Sequence, residues 1–134
     1  MAMIEITTRA RCEVVEITGR VQDVVSESGV EEGVAVVASM HTTAGLTVNE
    51  HADPDVMQDV LETLGRLVPR QGPYAHVEGN SDAHIKASLM GLSVAVPVES
   101  ARLVLGTWQG IYFCEFDGPR RRSVHVQVLG TAGS

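Results

Sequence analysis

Residues 41–59 read HTTAGLTVNEHADPDVMQD, and the architecture turns on how this stretch is taken. It holds two histidines, one asparagine, one glutamate and three aspartates. It follows the apolar run Val34 to Ser39 (VAVVAS) and leads into a segment of helical periodicity. Burying a polar side chain costs free energy unless a partner is supplied, so a core has no use for this density of polar groups. The stretch is expected to form one wall of a site, between a central strand covered on both faces and a long helix. Asp53-Pro54 marks the helix start, with Asp as N-cap and Pro at the first helical position. Val56, Met57, Val60, Leu61, Leu64, Leu67 and Val68 then make one apolar stripe, which Pro69 ends.

Working outward, residues 3–17 read as a β-hairpin, Ile4 and Ile6 alternating with polar neighbours before the break at 8–11 and Val15 and Ile17 after it. Thr18 is the expected cap of a second helix carrying Val21, Val24 and Val25, stopped by Gly29. Residues 70–80 are Gly- and Pro-rich loop. Asn80 or Ser81 opens a short helix to Met90, with Ile85 and Leu89 as its apolar face and His84 and Ser88 beside it. A strand over Leu92 to Val98 contains Pro97, which points to an end or an edge. From Thr107 to Phe116 strict alternation places Thr107, Gln109, Ile111, Phe113 and Glu115 on one face and Trp108, Gly110, Tyr112, Cys114 and Phe116 on the other. Asp117-Gly118-Pro119 is a turn, and Val124, Val126 and Val128 alternate along a last strand before a disordered tail at 130–134. Strands and helices mix without βαβ regularity, which predicts an α+β fold with mostly antiparallel sheet.

At 134 residues the chain is expected to be a single domain with an ordered core over about residues 3–129. A hydrophobic fraction of 44% fits a globular protein, and a net charge of −7 argues against nucleic acid or anionic membrane as partner. No run of 18 apolar residues would span a bilayer, and residues 1–15 lack signal-peptide order. Cys12 and Cys114 form no CxxC pair and read as two buried thiols of a cytoplasmic protein.

Of five histidines, His125 falls at the polar parity of its strand and reads as a surface residue, and His51 lies in a loop. His41, His76 and His84 end a strand, sit in a loop and open a helix, places where side chains converge at the end of a sheet. Their spacing matches no standard metal motif, so proton transfer, metal ligation and ordinary polar contacts all stay open. Capping and the helix dipole account for Asp53 and Asp55. Glu50, beside Asn49, has no such role and is a candidate ligand or general base. Arg120-Arg121-Arg122 offers guanidinium groups for phosphate, or a solubilising cluster. Thr107, Gln109 and Glu115 share a strand face that lines a pocket or meets solvent.

HTTAGLTVNE, DPDV, YAHVEGNSDAHIKASLMG and LGTWQGIYFCEFDGPRRR, in that order and spacing, resemble the YjbQ-like family, the secondary thiamine-phosphate synthase family, over about residues 3–129. The resemblance implies a small α+β fold with two mixed sheets and two to three helices, assembled as a homotrimer with sites near subunit interfaces. It implies thiamine-phosphate synthesis from hydroxymethylpyrimidine diphosphate and thiazole phosphate, with a hydrolase, a lyase or a non-catalytic metabolite-binding protein as alternatives. By the same resemblance His41, Glu50, His84, Gln109 and Glu115 are catalytic candidates. Asn49, Asn80, Thr107 and Arg120 are candidates for the phosphorylated substrate, and His41, His76 and His84 for a divalent ion, Zn²⁺ or Mg²⁺. Asp53 and Asp59 join Glu50 as possible Mg²⁺ carboxylates.

Overall fold

The computed structural model describes residues 2–131. In chain order the elements are β1 (Ala2–Thr7), β2 (Glu13–Glu16), α1 (Thr18–Ser28), β3 (Gly33–Ser39), β4 (Ala44–Glu50), α2 (Pro54–Leu67), α3 (Ser81–Met90), β5 (Ser93–Glu99), β6 (Arg102–Leu103), β7 (Gln109–Glu115) and β8 (Arg121–Gly130). They form a five-stranded sheet ordered β1-β8-β3-β5-β6 and a three-stranded sheet ordered β2-β7-β4. Every strand pair is antiparallel, so the sheets are not mixed.

The alternation at 107–116 explains the layering. Ile111 and Phe113 pack toward the five-stranded sheet with Ile4, Ile6, Val37, Leu46, Val124 and Val126. Tyr112, Cys114 and Phe116 face the opposite way and meet Met57, Ala83 and Ala87 of α2 and α3. β7 is thus buried on both faces, at the centre of the middle layer. Helix α1 shares that layer and buries Val25 against Ala35 and Val98. Among the described residues, no element packs on the other face of the five-stranded sheet. That face presents Met3 and Leu129, 48% and 50% exposed, beside half-buried Val34, Val36, Ala38 and His125.

Several expectations about the strands and α3 are corrected. β1 and β2 are not a hairpin; β1 pairs with β8, and β2 with β7. The run at 34–39 is central in its sheet but covered on one face only, because Ala35 and Val37 turn inward and the other valines outward. Residues 44–50, taken as part of a polar wall, are strand β4. Helix α3 is inverted: Ile85 and Leu89 are exposed, and Asp82, Ala83, Lys86 and Ala87 are buried. The inversion has a partner 71 residues away. Arg11 makes a bidentate pair with Asp82 at 3.0 and 3.1 Å, and Lys86 donates to the same carboxylate at 3.0 Å. Burial would raise the Asp82 pKa, but the Arg11 and Lys86 hydrogen bonds outweigh it and hold the group down at about 2.

Helix α2 starts where expected, its Asp53 carboxylate accepting from the Asp55 N–H at 2.9 Å. Helix α1 ends at Gly29 with φ of 76°, a left-handed conformation that glycine adopts without strain. Its N-cap is Ile17 rather than Thr18, whose hydroxyl instead accepts from the Ile111 N–H at 2.8 Å and joins α1 to β7. Both cysteines are free, as read, with Cys114 buried and Cys12 half-buried. Gly130 closes β8 and the Thr131 N–H donates to the Glu32 carbonyl, so the expected disordered tail is ordered at these two positions; 132–134 lie outside the described residues. No helix among the described residues is long and apolar enough to cross a membrane.

Candidate functional site

Where β3 turns into β4, α3 begins and β7 turns into β8, side chains from three distant segments border one open polar cavity of about 370 Å³. His41, Asn80, His84 and Arg120 line it, as do Thr42, Thr43, Glu78, Asp117 and Arg122. The turn into β8 is held close by Gly118, where a Cβ would lie 2.3 Å from the Ala10 carbonyl oxygen and 2.8 Å from Thr8 Oγ1. Only glycine allows that approach.

Glu115 lies directly behind the cavity, fully buried, and both of its oxygens are engaged. Oε1 accepts from Thr8 Oγ1 and from Arg122 Nε, each at 2.7 Å; Oε2 accepts from Arg122 Nη2 and from the Asp117 N–H. Burial pushes the carboxyl pKa up, but Arg122, the Asp117 N–H and Thr8 reverse this and hold it below the ordinary value. Glu115 is thereby a fixed counter-ion for Arg122, with no lone pair left to take a substrate proton. Arg122 Nη2 also donates to Thr43 Oγ1 at 2.8 Å. The parity of β8 marks Arg122 as inward, in phase with Val124 and Val126, and singles it out from the three arginines read together as guanidinium groups for phosphate.

His41 has a fixed tautomer. Its Nε2 accepts from the Ser123 N–H at 2.9 Å, so the neutral ring carries its proton on Nδ1. Burial, then the positive charge of Arg122, lowers its pKa. His41 therefore remains a neutral donor through Nδ1–H. Asn80 Nδ2 donates to Asp117 Oδ2 at 2.8 Å, which leaves Asn80 Oδ1 buried without a partner. Arg120 donates to the Asp117 carbonyl and carboxylate at 2.8 and 3.2 Å, and its side chain stays 55% exposed. Guanidinium and imidazole donors border the cavity together with carboxylate and amide acceptors. That suits a ligand bearing both an anionic group and hydrogen-bond donors.

His76 and His84 stand edge to face, ring centroids 5.5 Å apart and planes at 85°. His76 Nε2 is 3.8 Å from Glu78 Oε2. Among the described residues, no group of three or more His, Cys, Asp or Glu side chains is placed to hold one metal ion. His41 Nε2 is already committed to Ser123, so the His41–His76–His84 set does not fit a metal within one chain.

Asn49, Glu50, Thr107 and Gln109 lie elsewhere. β4 runs from Ala44, paired with Glu115, to Glu50, paired with Gln109. Six residue steps put the two ends about 20 Å apart. There Asn49 Oδ1 accepts from the Glu50 N–H, Glu50 Oε2 from the Asp53 N–H, and Gln109 Oε1 from the Gly106 N–H. These side chains tie down turns. His51, set aside in the sequence, has a role at this end: Nδ1 lies 3.0 Å from Glu16 Oε2 and Nε2 3.3 Å from the Thr107 carbonyl oxygen. Both neighbours are acceptors, so the ring satisfies both only as imidazolium, and the Glu16 and then the Thr107 hydrogen bonds raise its pKa.

The same arrangement of elements recurs in known proteins. A protein of the YjbQ/UPF0047 family from Clostridium acetobutylicum superposes with a TM-score of 0.95 at 53% identity, covering 96% of this chain and 100% of that one. A Sulfolobus solfataricus protein described as YbjQ-like and of unknown function gives a TM-score of 0.93 at 33% identity, over 97% and 96% of the two chains. UPF0047 protein MJ1081 of Methanocaldococcus jannaschii is 49% identical over 126 residues, 94% of this chain and 91% of its own. UPF0047 protein YugU of Bacillus subtilis is 47% identical over 128 residues, 95% and 97% of the two. The family described as UPF0047 protein YjbQ-like matches residues 2–131. This chain belongs to the YjbQ-like UPF0047 family.

Proposed function

We propose that the cavity at His41, Asn80, Arg120 and Arg122 binds a phosphorylated small molecule and serves a group-transfer reaction of the thiamine-phosphate synthase type. One observation carries this reading. A fixed neutral donor, His41 Nδ1–H, and a half-exposed guanidinium, Arg120, border the same cavity as an unpartnered acceptor, Asn80 Oδ1. In such a transfer the thiazole ring nitrogen forms a C–N bond to the pyrimidine methylene carbon. The C–O bond to diphosphate breaks, and diphosphate leaves with the electron pair. No side chain has to remove a proton, which is consistent with a saturated Glu115. Arg120 and His41 are positioned to donate to the departing phosphate oxygens, where charge accumulates. Mg²⁺ enters this reading with the diphosphate substrate.

The uncovered face of the five-stranded sheet supports self-association, a homotrimer in this proposal. It joins Met3, Leu129 and three half-buried aliphatic residues to His125, whose buried Nε2 has no partner. The test of function is turnover of hydroxymethylpyrimidine diphosphate and thiazole phosphate with Mg²⁺, read as thiamine phosphate by chromatography. Arg120→Ala is expected to reduce it about a hundredfold or more. Wild-type turnover no greater than an Mg²⁺-only blank would overturn the transferase reading. Light scattering of the same sample reads the assembly, and a monomer at micromolar concentration would overturn the trimer.

A further inference from the structure

Residues 99–102 read Glu-Ser-Ala-Arg, without glycine or asparagine, yet they form the tight turn of a β-hairpin in which Glu99 pairs with Arg102. Ser100 and Ala101 take φ of 52° and 61°. Left-handed backbone at both central positions is what such a turn requires and what Asn-Gly supplies. A side chain there sets its Cβ against the following carbonyl oxygen. Among the described residues, these are the two non-glycine positions with positive φ. Strain of this kind persists where neighbours hold the backbone in place.

The holding contacts are mostly polar. Gln22 of α1 lies along the outer edge of β6 as a further strand would, its Oε1 accepting from the Leu103 N–H at 2.9 Å and its Nε2 donating to the Ala101 carbonyl at 3.0 Å. At the tip the Ser100 N–H donates to Glu32 Oε1 at 3.1 Å and the Ala101 N–H to the Glu31 carbonyl at 3.0 Å. Beyond the two paired residues, the Val104 N–H reaches the Pro97 carbonyl at 2.8 Å, and no bond returns because Pro97 has no N–H. Leu103 and Leu105 are half-buried against the core, and none of residues 99–106 is fully buried. The chain just past them is fixed: the Gly106 N–H donates to Gln109 Oε1 at 2.7 Å, and the His51 N–H to the Trp108 carbonyl at 2.8 Å. Val104 and Leu105 also line a cavity of about 220 Å³ between the two sheets, together with Val48 of β4 and Val96 of β5.

We propose that residues 99–106 are a strap that opens over this cavity while β5 and β7 stay paired with their other neighbours, with Gly106 as its hinge and the Gln22 amide as its latch. Closed, the latch holds a strained turn. Released, Ser100 and Ala101 return to ordinary backbone, and Val48 and Val96 meet solvent. A segment with no fully buried residue, a two-residue ladder and a strained tip opens at a lower free energy than the fold as a whole. The strap thereby controls access to the space between the sheets. Val48 and Gln109 place that cavity toward the Glu50 end of β4, so the strap works independently of whatever the polar cavity at His41 binds.

The experiment is hydrogen exchange by NMR on the full chain, for wild type, Gln22→Ala and Ala101→Gly. The Phe113 amide, in the middle strand β7, serves as the reference for global opening. In wild type the Ser100 and Val104 amides are expected to share one protection factor, at least about a hundredfold below that of Phe113. Gln22→Ala should lower both by about tenfold, although neither amide bonds to Gln22, and Ala101→Gly should raise both by about threefold. Protection of Ser100 and Val104 equal to that of Phe113 overturns the strap. A Gln22→Ala protein in which Leu103 alone changes overturns the latch, and no gain in Ala101→Gly overturns the strained turn. Access to the cavity is read by maleimide labelling of Val96→Cys, resolved by peptide mass. Val96 is 3% exposed and Cys114 fully buried, so the introduced thiol should label at least about tenfold faster than Cys114 if the strap opens alone. Equal labelling of the two overturns the gate.

Discussion

Replacing Glu115 by glutamine separates a structural anion from a catalytic one. The carboxylate is fully buried and accepts four hydrogen bonds, two of them from Arg122, itself only 3% exposed. Glutamine keeps the shape and loses the charge. Whichever way its amide is turned, the NH₂ group meets an Arg122 N–H, so a donor faces a donor. One lost charged contact and one opposed pair, at about 1.5–3 kcal/mol each, give a cost of about 3–6 kcal/mol. That agrees with the usual cost of removing one partner of a buried ion pair. For a chain of this size the melting temperature should fall by about 10–20 °C, read by calorimetry at pH 7. The double variant Glu115→Gln/Arg122→Met should recover most of the loss, because no unpaired charge remains inside. The pKa of Glu115 is lowered in the fold, so its stabilisation is present above the ordinary carboxylate pKa and lost as pH falls through the depressed value. The wild type should therefore approach the variant in acid. A Glu115→Gln protein within about 1 kcal/mol of wild type, with its turnover abolished, would refute the assignment and return Glu115 to chemistry.

Two further outcomes follow from charges outside the cavity. Asp82→Asn leaves Arg11 and Lys86 facing a neutral amide in a buried position and should cost about 3 kcal/mol or more in chemical denaturation. An Asp82 held near pKa 2 also keeps the pair intact until pH falls well below 4, so an Asp82 carboxyl signal titrating at its ordinary value by NMR would contradict the buried ion cluster. For His51 the sign is opposite. Its folded pKa is raised, so its clamp between Glu16 and Thr107 is complete below the ordinary histidine pKa and lost as pH rises through the folded value. Protection of the His51 amide, which donates to the Trp108 carbonyl, should weaken over that window in hydrogen exchange, and a His51→Gln variant should show no such step.

Periodicity made some of the fold legible and could not reach the rest. Helix α2 was readable because cap, first-turn proline and stripe all lie within 16 contiguous residues. The two faces of β7 were readable because strict alternation needs only the strand itself. Pairing was not: the partner of β1 lies at the far end of the chain, and nothing in residues 2–7 names it. Strand β4 was obscured because Thr47, Asn49 and Glu50 resemble loop composition. The burial of α3 was read backwards because its charged face is satisfied by Arg11, supplied from the loop between β1 and β2, 71 residues away.

The opening stretch contributes to two polar clusters, one at each end of β4, and what distinguishes them is saturation. At the Glu50 end the side chains of Asn49, Glu50 and Gln109 each accept from a backbone N–H, and His51 bridges two acceptors. Such groups stabilise turns and have little left for a ligand. At the His41 end the saturated pair Glu115–Arg122 forms a rigid floor, and above it Asn80 Oδ1 has no partner, His41 presents Nδ1–H and Arg120 stays half exposed. A side chain's type and spacing are written in the sequence, whereas the capacity it has left depends on partners brought from elsewhere. Thus Glu50 and Gln109 are drawn into scaffolding, and Arg122 becomes the support beneath Arg120 and His41, the side chains with capacity left for a ligand.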